Sequence, residues 1–389
     1  MHTKSYFLSQ PHQPFFLLGI SNAIVAMLLF LLAYKGLIIL SLPSNIFHIY
    51  SLAFLLFNNV FAGFLFTTFP RFNQAAVVPR DFYTKIFYAN LSGSLLFYLG
   101  SISVLWLVIV AMVLLFVTQA LSTLKLYSIY KEGRAPQKED SFWILVANYF
   151  GLVGALLFIG VLAFSYDALQ SSAIAVTFYL YLIFLAFSVA QRMVPFFSHS
   201  WAQKDPRFVP IVFGLFFLKS IAVAAALGSV ELVVDTVLAL YLLKEFLRWD
   251  LHPLQAPAIL WVLHLALFWM PLAFGLAAMS DAATLFLENS FYFVNIHLLA
   301  LGFLTTVLIG FGTRVALGHA GLPPAADKTI IGIFIAVQVV VLLRALVSLD
   351  VAFGWGFAPF FDMAATAWIA VFAAWGSKFA KILIFGKDR

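Results

Sequence analysis

The chain has 389 residues, 64% of them hydrophobic and only 10% charged, with a net charge of +6 and no cysteine. That balance lies outside the range of a soluble globular domain. The missing thiols exclude disulfides, thiolate metal sites and thiolate-held iron–sulfur clusters, so any metal must be held by nitrogen or oxygen.

A helix crossing the hydrocarbon core needs roughly 20 apolar residues. In chain order, such runs are predicted at 14–35, 45–69, 84–101, 103–128, 142–165, 169–190, 208–228, 231–247, 257–279, 289–313, 329–348 and 360–384. Before the first run stands only one cation, Lys4, and no small-residue cleavage pattern follows it. That run therefore reads as a retained helix and not as a signal peptide. Short polar breaks separate the runs, for example Lys131-Glu-Gly-Arg-Ala-Pro-Gln-Lys-Glu-Asp140. The expected fold is an all-α integral membrane protein of about twelve transmembrane helices, with residues 1–389 forming one polytopic domain.

The cations fix an orientation. With a cytoplasmic N-terminus, the inner side holds Lys4, Arg71, Arg80, Lys85, Lys125, Lys131, Arg134, Lys138, Arg192, Lys204, Arg207, Lys244, Arg248, Arg314, Lys328, Lys378, Lys381, Lys387 and Arg389, leaving only Lys35, Lys219 and Arg344 elsewhere. This is the positive-inside pattern, with both termini cytoplasmic. The positive charge is thus topological, and nucleic-acid binding is rejected. The outer side carries Asp167, Glu231, Asp235, Asp281, Glu288, Asp350 and Asp362. A solvated rim is the favoured reading of these acids, and a cation path the sharper alternative.

Spans two, six and ten end alike, in Ala62-Gly-Phe-Leu-Phe-Thr-Thr-Phe-Pro-Arg71, Ala186-Phe-Ser-Val-Ala-Gln-Arg192 and Gly310-Phe-Gly-Thr-Arg314. A period of four spans makes three four-helix units, an arrangement similar to the three four-helix arcs of haem–copper oxidase core subunits. In those subunits, histidines on spans two and ten hold a haem in the outer half of the membrane. Here His48 is on span two and His297 on span ten. At 1.5 Å per residue they lie ~5 Å and ~12 Å below the outer ends of the predicted spans. Spans six and seven contain no histidine before His199, so the oxidase copper site is absent.

Of the eight histidines, His48, His264 and His297 stand in apolar runs and His319 follows one. An imidazole in hydrocarbon is costly unless it pairs, and it is a common ligand for metals and haem iron. His48 and His297 are candidate haem ligands. The alternatives are interfacial anchoring for His48 and a structural hydrogen bond for His297, with Gly302 beyond it offering close packing to a helix or a flat macrocycle. His264, nearer the inner half, is a candidate for a second metal. His319, in a Gly-His-Ala-Gly turn, either caps helix carbonyls or joins His264 at a metal. Of the rest, His2, His12, His199 and His252 read as peripheral, and only His12 stands near enough to approach a site. Arg314 is a candidate partner for a haem propionate, with an inner-boundary anchor as the favoured reading. Lys219, mid-span, is read as neutral, as paired with Glu231 or Asp235, or as a transport residue. Asn58 and Asn59 are expected to hydrogen-bond across helices.

Four segments resemble the NnrS family of bacterial membrane proteins, which are haem- and copper-containing and linked to the response to nitric oxide. They are Gln13-Pro-Phe-Phe-Leu-Leu18; Phe47-His48-Ile-Tyr50-Ser51 with Ala62-Gly-Phe-Leu-Phe-Thr67; Leu260-Trp-Val-Leu-His264 with Trp269 and Pro271; and His297-Leu-Leu-Ala-Leu-Gly302 through Thr313-Arg-Val-Ala-Leu-Gly-His319-Ala-Gly321. In that family the second span opens Trp-His-Ala-His-Glu-Met; here it reads Phe47-His48-Ile49-Tyr50-Ser51-Leu52, without the second histidine and the glutamate. The resemblance implies a b-type haem in the bacterial cytoplasmic membrane, and a stress-response role by electron transfer or diatomic-ligand binding. Nitric oxide or a respiratory electron donor would then be a partner. It also implies copper, whose ligand-type residues Tyr50 and Ser51 replace. The competing function is a secondary transporter built on Lys219 and the histidines. A third is an assembly factor for a respiratory complex.

Overall fold

The computed structural model describes residues 6–252, 255–291 and 293–387. His2, Lys4 and Arg389 therefore lie outside the described residues. Among the described residues all regular structure is helical. Twelve long helices coincide with the twelve predicted runs: α1 (His12–Tyr34), α2 (Ser44–Phe72), α3 (Arg80–Ser101), α4 (Leu105–Glu132), α5 (Glu139–Phe164), α6 (Asp167–Phe197), α7 (Phe208–Ala224), α8 (Gly228–Arg248), α9 (Ala258–Leu287), α10 (Val294–His319), α11 (Lys328–Phe353) and α12 (Pro359–Phe385). Nine of them, among the described residues, are long and apolar enough to cross a membrane. The other three are α7, with 17 residues, and the more polar α3 and α8. The chain is a multi-pass membrane protein.

Local chemistry sets the helix ends. Pro43, Pro79 and Pro257 stand immediately before α2, α3 and α9, where a fixed φ and a missing N–H cost nothing. The Asp327 side chain accepts a hydrogen bond from the Ile330 N–H at the start of α11, a standard N-cap.

Three helices change register midway. Residues Ser51–Phe57 of α2, Val176–Ile183 of α6 and Leu298–Thr305 of α10 form π-helical turns. These are the second, sixth and tenth helices, the same three whose inner ends read alike in sequence. Helices at this four-span spacing thus share a π turn as well as an arginine at the inner end. Such turns are rare and concentrate at functional positions. His48 stands just before the first and His297 immediately before the third.

The chain divides into two compact units. The first comprises Met1–Thr177, Gly312–Pro323 and Phe372–Arg389, and the second Phe178–Phe311 and Pro324–Val371.

In the first unit a polar ladder ties α1 to α4. Asn22 Nδ2 donates to Leu55 O, inside the π turn of α2, at 2.8 Å and to Ser94 Oγ at 3.0 Å. Asn59 Nδ2 donates to the same Leu55 carbonyl at 2.7 Å, and Asn90 Nδ2 donates to Asn59 Oδ1 at 2.9 Å. The Thr118 hydroxyl donates to Asn90 Oδ1. Asn90→Leu should leave the buried Asn59 Oδ1 without its donor, while Thr118 keeps its bond to Leu115 O, at a cost of about 1–3 kcal/mol. Reversible unfolding in mixed detergent micelles measures it; a wild-type midpoint would mean that the ladder contributes nothing.

In the second unit the Trp269 indole donates to Gln338 Oε1 at 2.7 Å, and Gln338 Nε2 donates to Thr306 Oγ1 at 3.2 Å. This joins α9, α10 and α11. Gly302 lets the Trp269 ring approach: a Cβ there would lie 2.6 Å from it. Gly302 thus serves helix packing against an indole, and its bare face does not accommodate a flat macrocycle.

Candidate functional site

The densest histidine chemistry of the first unit joins the start of α1 to the end of α10. The rings of His12 and His319 lie with centroids 4.6 Å apart and planes inclined at 41°. His12 is 2% exposed, and its Nδ1 has no hydrogen-bond partner. His319 is half-buried. The guanidinium of Arg71, at the inner end of α2, lies within electrostatic reach of both rings.

The surrounding sequence builds this pair from both sides. Gly63 of α2 allows the start of α1 to pack tightly, since a Cβ there would meet Phe15 Cβ at 2.8 Å and His12 Cα at 3.3 Å. On the other side, α10 closes in a Schellman motif. Leu322 N–H donates to Leu317 O at 3.0 Å, Gly321 N–H donates to Gly318 O at 3.2 Å, and Gly321 has φ +69°. Only glycine takes that conformation without strain. The motif satisfies the terminal carbonyls with backbone donors, so the capping role expected of His319 falls to Gly321 and Leu322. Upstream, Trp375 Nε1 donates to Thr313 Oγ1 at 3.0 Å, and the Trp375 ring lies against Phe16. This anchors the segment that carries Arg314 and His319.

His48, also in the first unit, is half-buried and stacks on Phe30 at 4.4 Å between centroids. Two residues on, Tyr50 is fully buried and its hydroxyl has no partner. Its neighbours are phenyl rings: Phe54 at 4.7 Å, Phe97 at 5.2 Å and Phe158 at 5.7 Å. Ser51 Oγ is turned back onto the His48 carbonyl at 3.2 Å. Arg314 is half-buried in α10.

In the second unit, His297 is half-buried, and its Nδ1 lies 2.9 Å from Phe293 O. A carbonyl only accepts, so Nδ1 carries the proton and Nε2 is the basic nitrogen. His264, 3% exposed, places Nε2 at 2.6 Å from Ser198 Oγ. Ser198 Oγ also lies 2.8 Å from Val194 O. His199 and His252 are exposed. Among the described residues, no three His, Cys, Asp or Glu side chains converge as a metal-binding group.

The structure thus distributes the predicted residues. His48, Arg314 and His319 belong to the first unit, His264 and His297 to the second. His319 meets His12, and His264 meets Ser198. The chain matches the family model described as NnrS protein over residues 6–385. The chain belongs to the NnrS family. No curated protein matches it. The match takes in all four segments that resemble the family, including His12, which borders the first. Missed by sequence reasoning was the His12–His319 partnership; its one signal was that His12 directly precedes Gln13-Pro-Phe-Phe. Ser198 gave no signal at all.

Proposed function

We propose that this NnrS-family chain is a cofactor-binding membrane protein of the nitric oxide response, with His48 and His297, each within its own unit, as haem-ligating imidazoles and with a second metal ion at His12 and His319. The His12–His319 pair carries the reading. A buried imidazole with an unpartnered nitrogen is costly in an apolar setting, and ligation would satisfy it. Two imidazoles sharing a four-coordinate ion, with nitrogen–metal bonds near 2 Å, place their ring centroids roughly 5 Å apart. The observed 4.6 Å fits. Imidazole donors suit copper, zinc, iron and nickel. Position 50 does not fit copper, because phenyl rings and no second donor surround the Tyr50 hydroxyl. His12 and His319 are the nitrogen pair that this reading assigns to the second metal ion.

For haem, the support is in the ring orientation of His297. The Phe293 carbonyl holds the proton on Nδ1, which fixes the tautomer and aims the basic nitrogen as in ligated histidines. His48 is the matching half-buried imidazole at the corresponding π turn of α2. When bound, haem would supply either an electron-transfer centre or a site for a diatomic ligand. The chain's own residues orient the ligands: Phe30 by stacking on His48, Phe293 by its carbonyl.

His48→Ala and His297→Ala should each lower the haem content, read as the pyridine haemochrome of the purified protein. Wild-type haem content in both variants would place the haem elsewhere or nowhere on this chain. The competing function, secondary transport, is built on Lys219 and the histidines; of the readings open for Lys219 the geometry supports the paired one, with Nζ 2.8 Å from both Glu231 Oε2 and Asp235 Oδ2.

A further inference from the structure

The second unit holds a buried charge cluster that the haem reading does not use. Lys219 of α7 is completely buried, and its ammonium donates to Glu231 and Asp235, both of α8. Asp281 of α9 lies in hydrogen-bonding range of Asp235. The Lys219 ammonium also stands 5.9 Å from the ring centre of Tyr179, on α6. The titratable groups facing one another are therefore Lys219, Tyr179, Glu231, Asp235 and Asp281.

Two oxygens decide the protonation. Asp235 is 0% exposed, and while its Oδ2 accepts from Lys219, its Oδ1 has no donor. Asp281 Oδ2 is buried and has no donor either. Two carboxylates within hydrogen-bonding range cannot both stay ionised in a low-dielectric site, because like charges at that separation repel strongly. A single proton between them turns two orphan acceptors into one donor–acceptor pair. Charge counting agrees. One ammonium faces three carboxyls, since Glu231, 18% exposed, holds it as well, and one proton shared by Asp235 and Asp281 halves the excess negative charge from −2 to −1.

We propose that Asp235 and Asp281 form a proton-binding site within the membrane domain, taking up and releasing one proton per chain. In the predicted topology both residues are on the outer side, and half-buried Asp281 is the member nearer water. Lys219 does not itself exchange the proton. It holds Asp235 Oδ2, so the shared proton sits on the other oxygen, facing Asp281. This site stands independently of any haem on the chain.

The test is infrared difference spectroscopy of the full-length protein in lipid, titrated through the neutral pH range in potassium and then in sodium salts. The expected result is a protonated-carboxyl carbonyl band with the amplitude of one group per chain. It should vanish as the pH rises, shift in heavy water and ignore sodium. Asp235→Asn and Asp281→Asn should each abolish it, while Glu231→Gln leaves it in place. If Asp235→Asn fails to fold, Asp281→Asn alone decides, since its amide can still donate to Asp235. A wild-type band missing at every pH, or one persisting in Asp281→Asn, would overturn the proposal. Displacement of the band by sodium at constant pH would instead make the site a cation site and also overturn it.

Discussion

Replacing His319 with alanine is expected to strip one metal ion from the purified chain while leaving its haem absorption intact. The ring of His319 is one of two imidazoles that meet at 4.6 Å, and His12 alone offers a single nitrogen. Loss of a direct ligand should weaken binding by more than the roughly 10–100-fold that losing a supporting hydrogen bond costs. His12→Ala should do the same. Fold damage is not expected from His319→Ala, because the Schellman motif at Gly321 and the Trp375–Thr313 bond hold the end of α10 without the imidazole. Metal analysis and competition with a chelator of graded affinity read the effect. Equal metal content in wild type and both variants would make the pair an aromatic contact and nothing more.

Lys219→Met should be among the most destabilising single substitutions in the protein. It removes one partner of a buried ion pair and leaves the fully buried Asp235 carboxylate without its cation. Breaking such a pair typically costs about 3–5 kcal/mol. A double variant, Lys219→Met with Asp235→Leu, should recover much of that loss, because a well-packed apolar pair is often no worse than the ion pair it replaces. The coupling is read from a double-mutant cycle of unfolding in mixed micelles. Additive effects in the cycle would mean that the two residues do not interact in the folded chain.

Long-range pattern was legible in the sequence, and short-range register was not. Each of the twelve predicted runs became a helix, because hydrocarbon length and the cation pattern act over whole segments. The third and eighth runs are short in the sequence, and α3 and α8 fall short of span criteria; α7 is strongly apolar and falls short only by its length of 17 residues. The arginines at 71, 192 and 314 hinted at a four-span repeat. What marks it in the structure, a π turn in each of α2, α6 and α10, has no signature in residue type, since a register change of one residue leaves the apolar pattern almost untouched. Asn59 was legible as a cross-helix bond because a buried amide in an apolar helix has few alternatives. Lys219 was legible as a problem, and Glu231 and Asp235 as two of its solutions. Asp281 was placed in the solvated outer rim, since one sequence does not show that α9 brings it beside α8. The same limit hid the partner of His319, which lies at the opposite end of the chain. At Gly302 the sequence left two readings open, because a small residue signals close approach but does not name what approaches, and here it is the indole of a packed helix.

The central claim is that imidazoles of this chain hold haem and a second metal. The most direct measurement is the dithionite-reduced minus oxidised absorption spectrum of the purified, detergent-solubilised protein, with total iron and copper determined on the same sample. The account predicts sharp haem bands, stoichiometric iron and a further metal ion in the wild-type chain. A colourless, metal-free protein isolated from haem-replete cells would contradict it.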